Sequence, residues 1–296
     1  MKKLMFTLLA VAVSAAMSAQ NSNVTLRGMS NPDNSMSIYA DVTGLGTFTI
    51  EVLFDETSNT TVNKRFISTM DGSGLVVTLN PDDPGKPVTA EFRYNWIQGD
   101  LYAQADDTFV YRIPVANKKA THVMKLSSYE PEISGPVIPG IKIWRFSMDK
   151  GDTVYAMRKG EIIKIKGFGP DADEDPVSSL GNFIYVEHTD GTIAEYSMLA
   201  ANSLKVAVGD TVYPDTPLAL AGASDYDNFG TYIALYHYVM NENELISRSF
   251  AVRRYIDPIF KTSKGDMRLT DGDTVKVKVT KKMLKKESPQ RNSGRK

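Results

Sequence analysis

From Asn23 to about Val115, apolar and polar residues alternate with a period of two, the repeat of a strand that buries one face and wets the other. Phe48, Ile50, Val52 and Phe54 alternate with Thr47, Thr49 and Glu51. Ala90, Phe92, Tyr94 and Trp96 alternate with Glu91, Arg93 and Asn95, and Phe109, Tyr111, Ile113 and Val115 form a third run. Breaks such as Asp71-Gly72-Ser73-Gly74 and Asn80-Pro81-Asp82-Asp83-Pro84-Gly85 separate the runs and supply the residues that tight turns require. Short strands at this spacing predict an immunoglobulin-like β-sandwich over residues 21–116, with Trp96 in its core. Glu130-Pro131-Glu132, Ser134-Gly135-Pro136 and Pro139-Gly140 exclude a long helix from residues 117–146, which read as a connector. Residues 147–263 read as a second β-rich unit, so the chain as a whole is expected to be mostly β. Within the tail, residues 264–296, Val275, Val277 and Val279 alternate with Lys276 and Lys278. That is the pattern of a lysine-guarded edge strand, followed by a basic end expected to be disordered.

Composition sharpens this picture. At 296 residues, with 42% hydrophobic and 23% charged residues, the chain has apolar material for two cores. The net charge of -1 gives no reason to expect nucleic-acid binding. Residues 264–296, however, carry eleven Lys or Arg against four Asp or Glu, so the tail is a candidate for contact with an anionic surface. The absence of cysteine excludes disulfides, thiolate metal sites, Cys nucleophiles and a lipid-modified N-terminal Cys. Lys2 and Lys3, the apolar run Leu4–Val13 and the small residues of Ala16-Met17-Ser18-Ala19-Gln20 have the form of a signal peptide over residues 1–20. The mature protein is thus expected to be exported, to the periplasm, the outer-membrane surface or the exterior. No later segment approaches eighteen apolar residues, so no transmembrane helix is expected after signal cleavage.

Three segments of the second unit carry a resemblance. They are Gly151-Asp152-Thr153-Val154-Tyr155-Ala156; then Gly181-Asn182-Phe183-Ile184-Tyr185-Val186-Glu187-His188-Thr189-Asp190-Gly191 leading to Tyr196-Ser197-Met198-Leu199; and then Val206-Ala207-Val208-Gly209-Asp210-Thr211-Val212. Their order and spacing resemble the LytM/lysostaphin-type zinc metallopeptidases, which cut peptide bridges of bacterial cell walls. The resemblance spans about residues 140–262 and implies a LytM-type β-sheet domain, lipoyl-like with a duplicated hybrid motif, as the second fold. It also implies zinc held by His, Asp and His, with water in the open position.

In this chain the residues aligned with those positions differ. Ile141 and Arg145 stand where the family has His-x-x-x-Asp, Tyr232 and Ala234 where it has His-Leu-His, and Met198 where it has the His of Tyr-x-His-Leu. Ile and Ala offer no lone pair, and Arg brings a fixed cation. No metal, cofactor or catalytic residue is therefore expected. Arg145, Met198, Tyr232, Ala234 and Ile141 become candidates for a binding groove that takes a cell-wall peptide or an envelope partner, in a regulatory or scaffolding role. Two other readings stay open: a zinc endopeptidase with relocated ligands, and a structural subunit of an outer-membrane complex. Relocation would draw on His122, His188 and His237, the three histidines present. His188 matches a structural His of the family hairpin, and His237 lies an odd number of residues from Ala234, so it faces away. The acidic run Asp171-Ala172-Asp173-Glu174-Asp175 lacks calcium-loop spacing and reads as a solvated insertion.

Overall fold

The computed structural model describes residues 22–126, 140–168, 181–224, 228–242 and 249–287. The proposed signal peptide, the acidic run Asp171–Asp175 and the last residues of the basic tail lie outside them. The first six strands are β1 (Asn23–Ser30), β2 (Met36–Thr43), β3 (Thr47–Ser58), β4 (Arg65–Asp71), β5 (Gly74–Leu79) and β6 (Thr89–Gln98). They form two antiparallel sheets, β1-β2-β5 and β4-β3-β6. Val24, Ile38, Ala40, Phe48, Ile50, Val52 and Phe54 fill the space between the sheets, with Trp96 packed at the margin. The alternation of β3 puts its apolar residues there, as expected.

The other face of β3 is not wet. Thr49 and Glu51 are buried as well. The Thr49 hydroxyl donates to Gly99 O at 2.8 Å, while Glu51 accepts from Arg65 at 2.7 Å and from Asn95 at 2.7 Å. Ile67 and Ile97 of the flanking strands join Leu101, Phe250, Ala251, Tyr238 and Met240 in a small apolar cluster. This sheet is therefore covered on both sides, by its own partner sheet and by the second unit.

The remaining strands are β7 (Val110–Tyr111), β8 (Ala120–Leu126), β9 (Ile143–Ser147), β10 (Thr153–Tyr155), β11 (Gly160–Lys166), β12 (Phe183–Glu187), β13 (Ile193–Ser197), β14 (Thr211–Val212), β15 (Pro217–Leu220), β16 (Gly222–Ala223), β17 (Phe229–Met240), β18 (Ala251–Tyr255), β19 (Ile259–Thr262), β20 (Gly265–Arg268) and β21 (Thr274–Lys276), followed by the short helix α1 (Lys281–Glu287). A ten-stranded sheet runs β14-β11-β12-β13-β17-β9-β8-β21, with β16 and β18 also paired to β17. No helix among the described residues is long and apolar enough to cross a membrane.

Two expected boundaries move. The run Phe109–Val115 belongs to the core of the second unit, with Trp144, Phe146, Tyr196 and Leu235, and β7 pairs in parallel with β19. Alternation declares that a strand has an apolar face but not which core receives it. The expected connector likewise contains β8 and most of β9, which pair with each other inside the large sheet. The prolines that suggested a linker lie between them, at 131, 136 and 139, outside the described residues. The tail does provide an edge strand. β21 ends the path beside β8, with Val275 and Val277 buried and Lys276 and Lys278 exposed. Beyond it α1 is folded, where disorder was expected. Its Glu287 accepts from the Lys159 amide at 2.7 Å.

Candidate functional site

The period of two divides the large sheet into two faces. Trp144 and Phe146 of β9, Ile184 and Val186 of β12, Ala194 and Tyr196 of β13, and Ile233 and Leu235 of β17 enter the main core. Their neighbours consequently share the opposite face. The register there sets Arg145 opposite Tyr232 and Ile143 opposite Ala234. On the other side of β17, Ser197 lies opposite Tyr232 and Glu195 opposite Ala234. Tyr185 pairs with Glu195, and Tyr255 and Arg253 pair with Tyr236 and Tyr238.

Three charged groups dominate this face. Arg145 is only 7% exposed. Its guanidinium donates to Ser147 Oγ at 3.0 Å and to Phe229 O at 3.4 Å, and it lies 4.0 Å from Met124 Sδ. No carboxylate among the described residues pairs with it. Further along, Arg253 meets Glu195 at 3.2 Å, with side-chain exposures of 32% and 15%, and its guanidinium lies 4.3 Å over the Tyr236 ring. Burial pushes the Glu195 carboxyl above its ordinary range, and Arg253 pulls it back. Ile193, Ala234, Tyr236, Tyr185, Tyr238 and Tyr255 close an apolar and aromatic layer around the pair.

Residues 140–246 match the family model of Peptidase family M23. This segment is an M23 peptidase-family domain. No curated protein matches the chain. Similar solved structures include the M23 metalloprotease pseudoalterin from the deep sea, at 18% identity over 57% of this chain and 96% of that one, with a TM-score of 0.30. A zinc-containing peptidase from Vibrio cholerae is 14% identical over 78% of this chain and 84% of that one, with a TM-score of 0.32. Csd3 from Helicobacter pylori is 11% identical over 90% and 80%, with a TM-score of 0.30. At these values the assignment of the domain rests on the family model.

M23 peptidases ordinarily use zinc, so the donor set of this domain has to be tested against that ion. Ile141, Arg145, Tyr232 and Ala234 together offer one phenol and one permanent cation, and they do not fit a divalent metal. Among the described residues, no three His, Asp or Glu side chains converge to hold one. The histidines are scattered. His122 sits exposed on β8, 3.3 Å from Thr274 Oγ1. His237 pairs with Arg254 and faces the other side of the sheet from Ala234, as its spacing requires. His188 is buried, with its Nδ1 2.8 Å from Lys159 O, which agrees with a structural role.

Met198 does not share the face of Arg145 and Tyr232. It is fully buried and has a positive φ of 56°, a conformation uncommon outside glycine. Its terminal methyl lies 3.2 Å from where a Cβ on Gly230 would stand, so it fills space beneath β17. The Glu195–Arg253 pair was missed by sequence reasoning. The signal for Glu195 was present, because it alternates with the apolar Ala194 and Tyr196 and shares a face with Ser197. Nothing in the sequence tied Arg253 to it.

The buried imidazole gives a pH prediction. Burial, reinforced by the charge of Arg158, drives His188 down from 6.5 to about 4, so folding favours its neutral form. Its contribution to stability is complete above pH 6.5 and disappears as pH falls toward 4, a loss of about 3 kcal/mol. Urea midpoints of the wild type and His188→Gln, measured from pH 7.5 to 4, should converge at the acid end. Parallel curves would place the acid sensitivity elsewhere.

Proposed function

We propose that this protein is a non-catalytic, exported M23-fold binding protein, and that it takes a peptide carboxylate at Arg145 beside Tyr232. The observation that carries this reading is a buried guanidinium with only neutral partners among the described residues, on a residue that the resemblance aligns with an acidic metal ligand. A buried charge without a counter-ion is costly, and a carboxylate from outside would pair with it through charge-assisted hydrogen bonds. The half-buried Tyr232 directly across the ladder adds a hydroxyl and a ring face for the neighbouring peptide unit. A cell-wall stem peptide has the required free carboxylates, and a regulatory or scaffolding role in the envelope follows from binding without cleavage. The same donor chemistry argues against a relocated zinc site, since the three histidines lie in three separate places.

The test is calorimetric titration of the mature chain with a wall stem peptide and with its amidated counterpart, alongside zinc analysis and a cleavage assay. The free-acid peptide should bind at least tenfold more tightly, and Arg145→Met should erase the difference while keeping the wild-type melting temperature. Near-stoichiometric zinc together with peptide cleavage would overturn the proposal in favour of an enzyme. Equal binding of the two peptides would remove Arg145 from the site.

A further inference from the structure

A second cleft opens on the face of the sheet away from Arg145, where β17 and β18 meet the chain before β9 and the end of β20. Lys142, Arg254, Arg268 and His237 line it, together with Asp107, Asp257 and a short apolar wall. Lys142 and Arg254 have no ion-pair partner among the described residues, and Arg268 reaches only the carbonyl of Asp107 at 3.5 Å. Asp257 is already engaged by Lys125 at 3.1 Å. The three fixed cations of the cleft therefore face one uncompensated carboxylate, that of Asp107, and a surplus of two positive charges remains. Two buried polar atoms of the lining, His237 Nδ1 and Asp257 Oδ1, lack hydrogen-bond partners.

We propose that this cleft binds a phosphomonoester. Its charge of about -1.5 to -2 near pH 7 matches the surplus, and its three oxygens suit several cationic donors at once. A lone carboxylate would neutralise only half of that surplus. The Asp257 carboxylate, with one oxygen on Lys125 and the other buried, adds no free negative charge to the cleft. His237 stands opposite Arg254 in the β17–β18 register, at the wall of the cleft. The arrangement owes nothing to Arg145, which projects from the opposite side of β9, so the two proposals stand or fall separately.

Titration of the mature chain with inorganic phosphate, glucose 1-phosphate and acetate at fixed ionic strength is the direct test. Glucose 1-phosphate should bind, with acetate at least about tenfold weaker. The Lys142→Gln/Arg254→Gln double variant, altered outside the core, should keep its melting temperature and lose about tenfold or more in affinity for the phosphomonoester, while Arg145→Met leaves that affinity unchanged. Equal affinity for acetate, or indifference of the double variant, would overturn the assignment. Cosedimentation with vesicles containing phosphatidic acid, reversed by glucose 1-phosphate, would identify a lipid headgroup as the source. Binding of the soluble ester without cosedimentation would identify a free phosphorylated compound.

Discussion

Arg158→Ala should lower the unfolding free energy by about 3–5 kcal/mol, the range seen when one partner of a buried ionic cluster is removed. Arg158 stands at the junction of four elements. Its guanidinium meets Asp190 at 2.7 Å, where the side chains are 8% and 12% exposed. It donates to the Tyr111 hydroxyl at 3.2 Å, lies 4.0 Å over the Phe109 ring and approaches Glu287 of α1 at 3.7 Å. Truncation leaves the Asp190 carboxylate buried without its cation and opens a space beside Phe109. Arg158→Met, which refills part of that space, should cost less than Arg158→Ala. Urea unfolding measures both. Hydrogen exchange adds a local readout, because the amides of Lys281–Glu287 should lose protection in either variant once the anchor of α1 is gone. A loss below about 1 kcal/mol in Arg158→Ala would mean that the cluster is compensated by water or by its remaining partners.

Trp144→Ala should cost a comparable amount, about 3–5 kcal/mol, because it empties the largest fully buried side chain of the second core. The indole packs edge-on against Phe260 with centroids 6.3 Å apart, and Lys125 Nζ lies 5.2 Å from its centre. The consequence extends to the candidate site, since Trp144 is the inward neighbour of Arg145 on the same short strand. Loosening β9 should therefore weaken stem-peptide binding along with stability. Trp144→Phe separates two contributions. It removes ring area, yet it also removes an indole N–H that has no hydrogen-bond partner, so its net cost should stay below about 2 kcal/mol. Chemical denaturation of the two variants tests this, and similar losses in both would show that the part of the indole absent from phenylalanine carries most of the packing contribution.

The strands themselves were legible, and so was the absence of long helices. Apolar alternation in Phe48–Phe54 and Val275–Val277 marks residues that reach a core, and the structure buries them there. The spacing from Ala234 to His237 likewise places that histidine on the far side of the sheet. The expectation that Ile141, Arg145, Tyr232 and Ala234 cannot hold zinc also rests on side-chain chemistry alone, because a zinc ion needs lone pairs that Ile, Ala and Arg do not have. Legibility failed wherever two elements distant in sequence had to find each other. Thr49 and Glu51 look like solvent-facing residues until the second unit covers them. Phe109–Val115 fits either core by pattern. Glu195 and Arg253 stand 58 positions apart and meet only because β13 and β18 both flank β17.

The chain's own order of residues determined which positions are apolar, where strands begin and turn, and which side chains are available to the M23 domain. Those are local properties, set by side-chain chemistry and by a backbone that alternates its faces every residue. Tertiary structure alone decided that Arg145 is buried without a carboxylate, that Arg253 caps Glu195, and that Lys142, Arg254 and Arg268 crowd one cleft. Each of these depends on the pairing register and on which sheet face another element covers. A linear pattern specifies neither, because every strand with one apolar side can be docked against any sufficiently apolar partner.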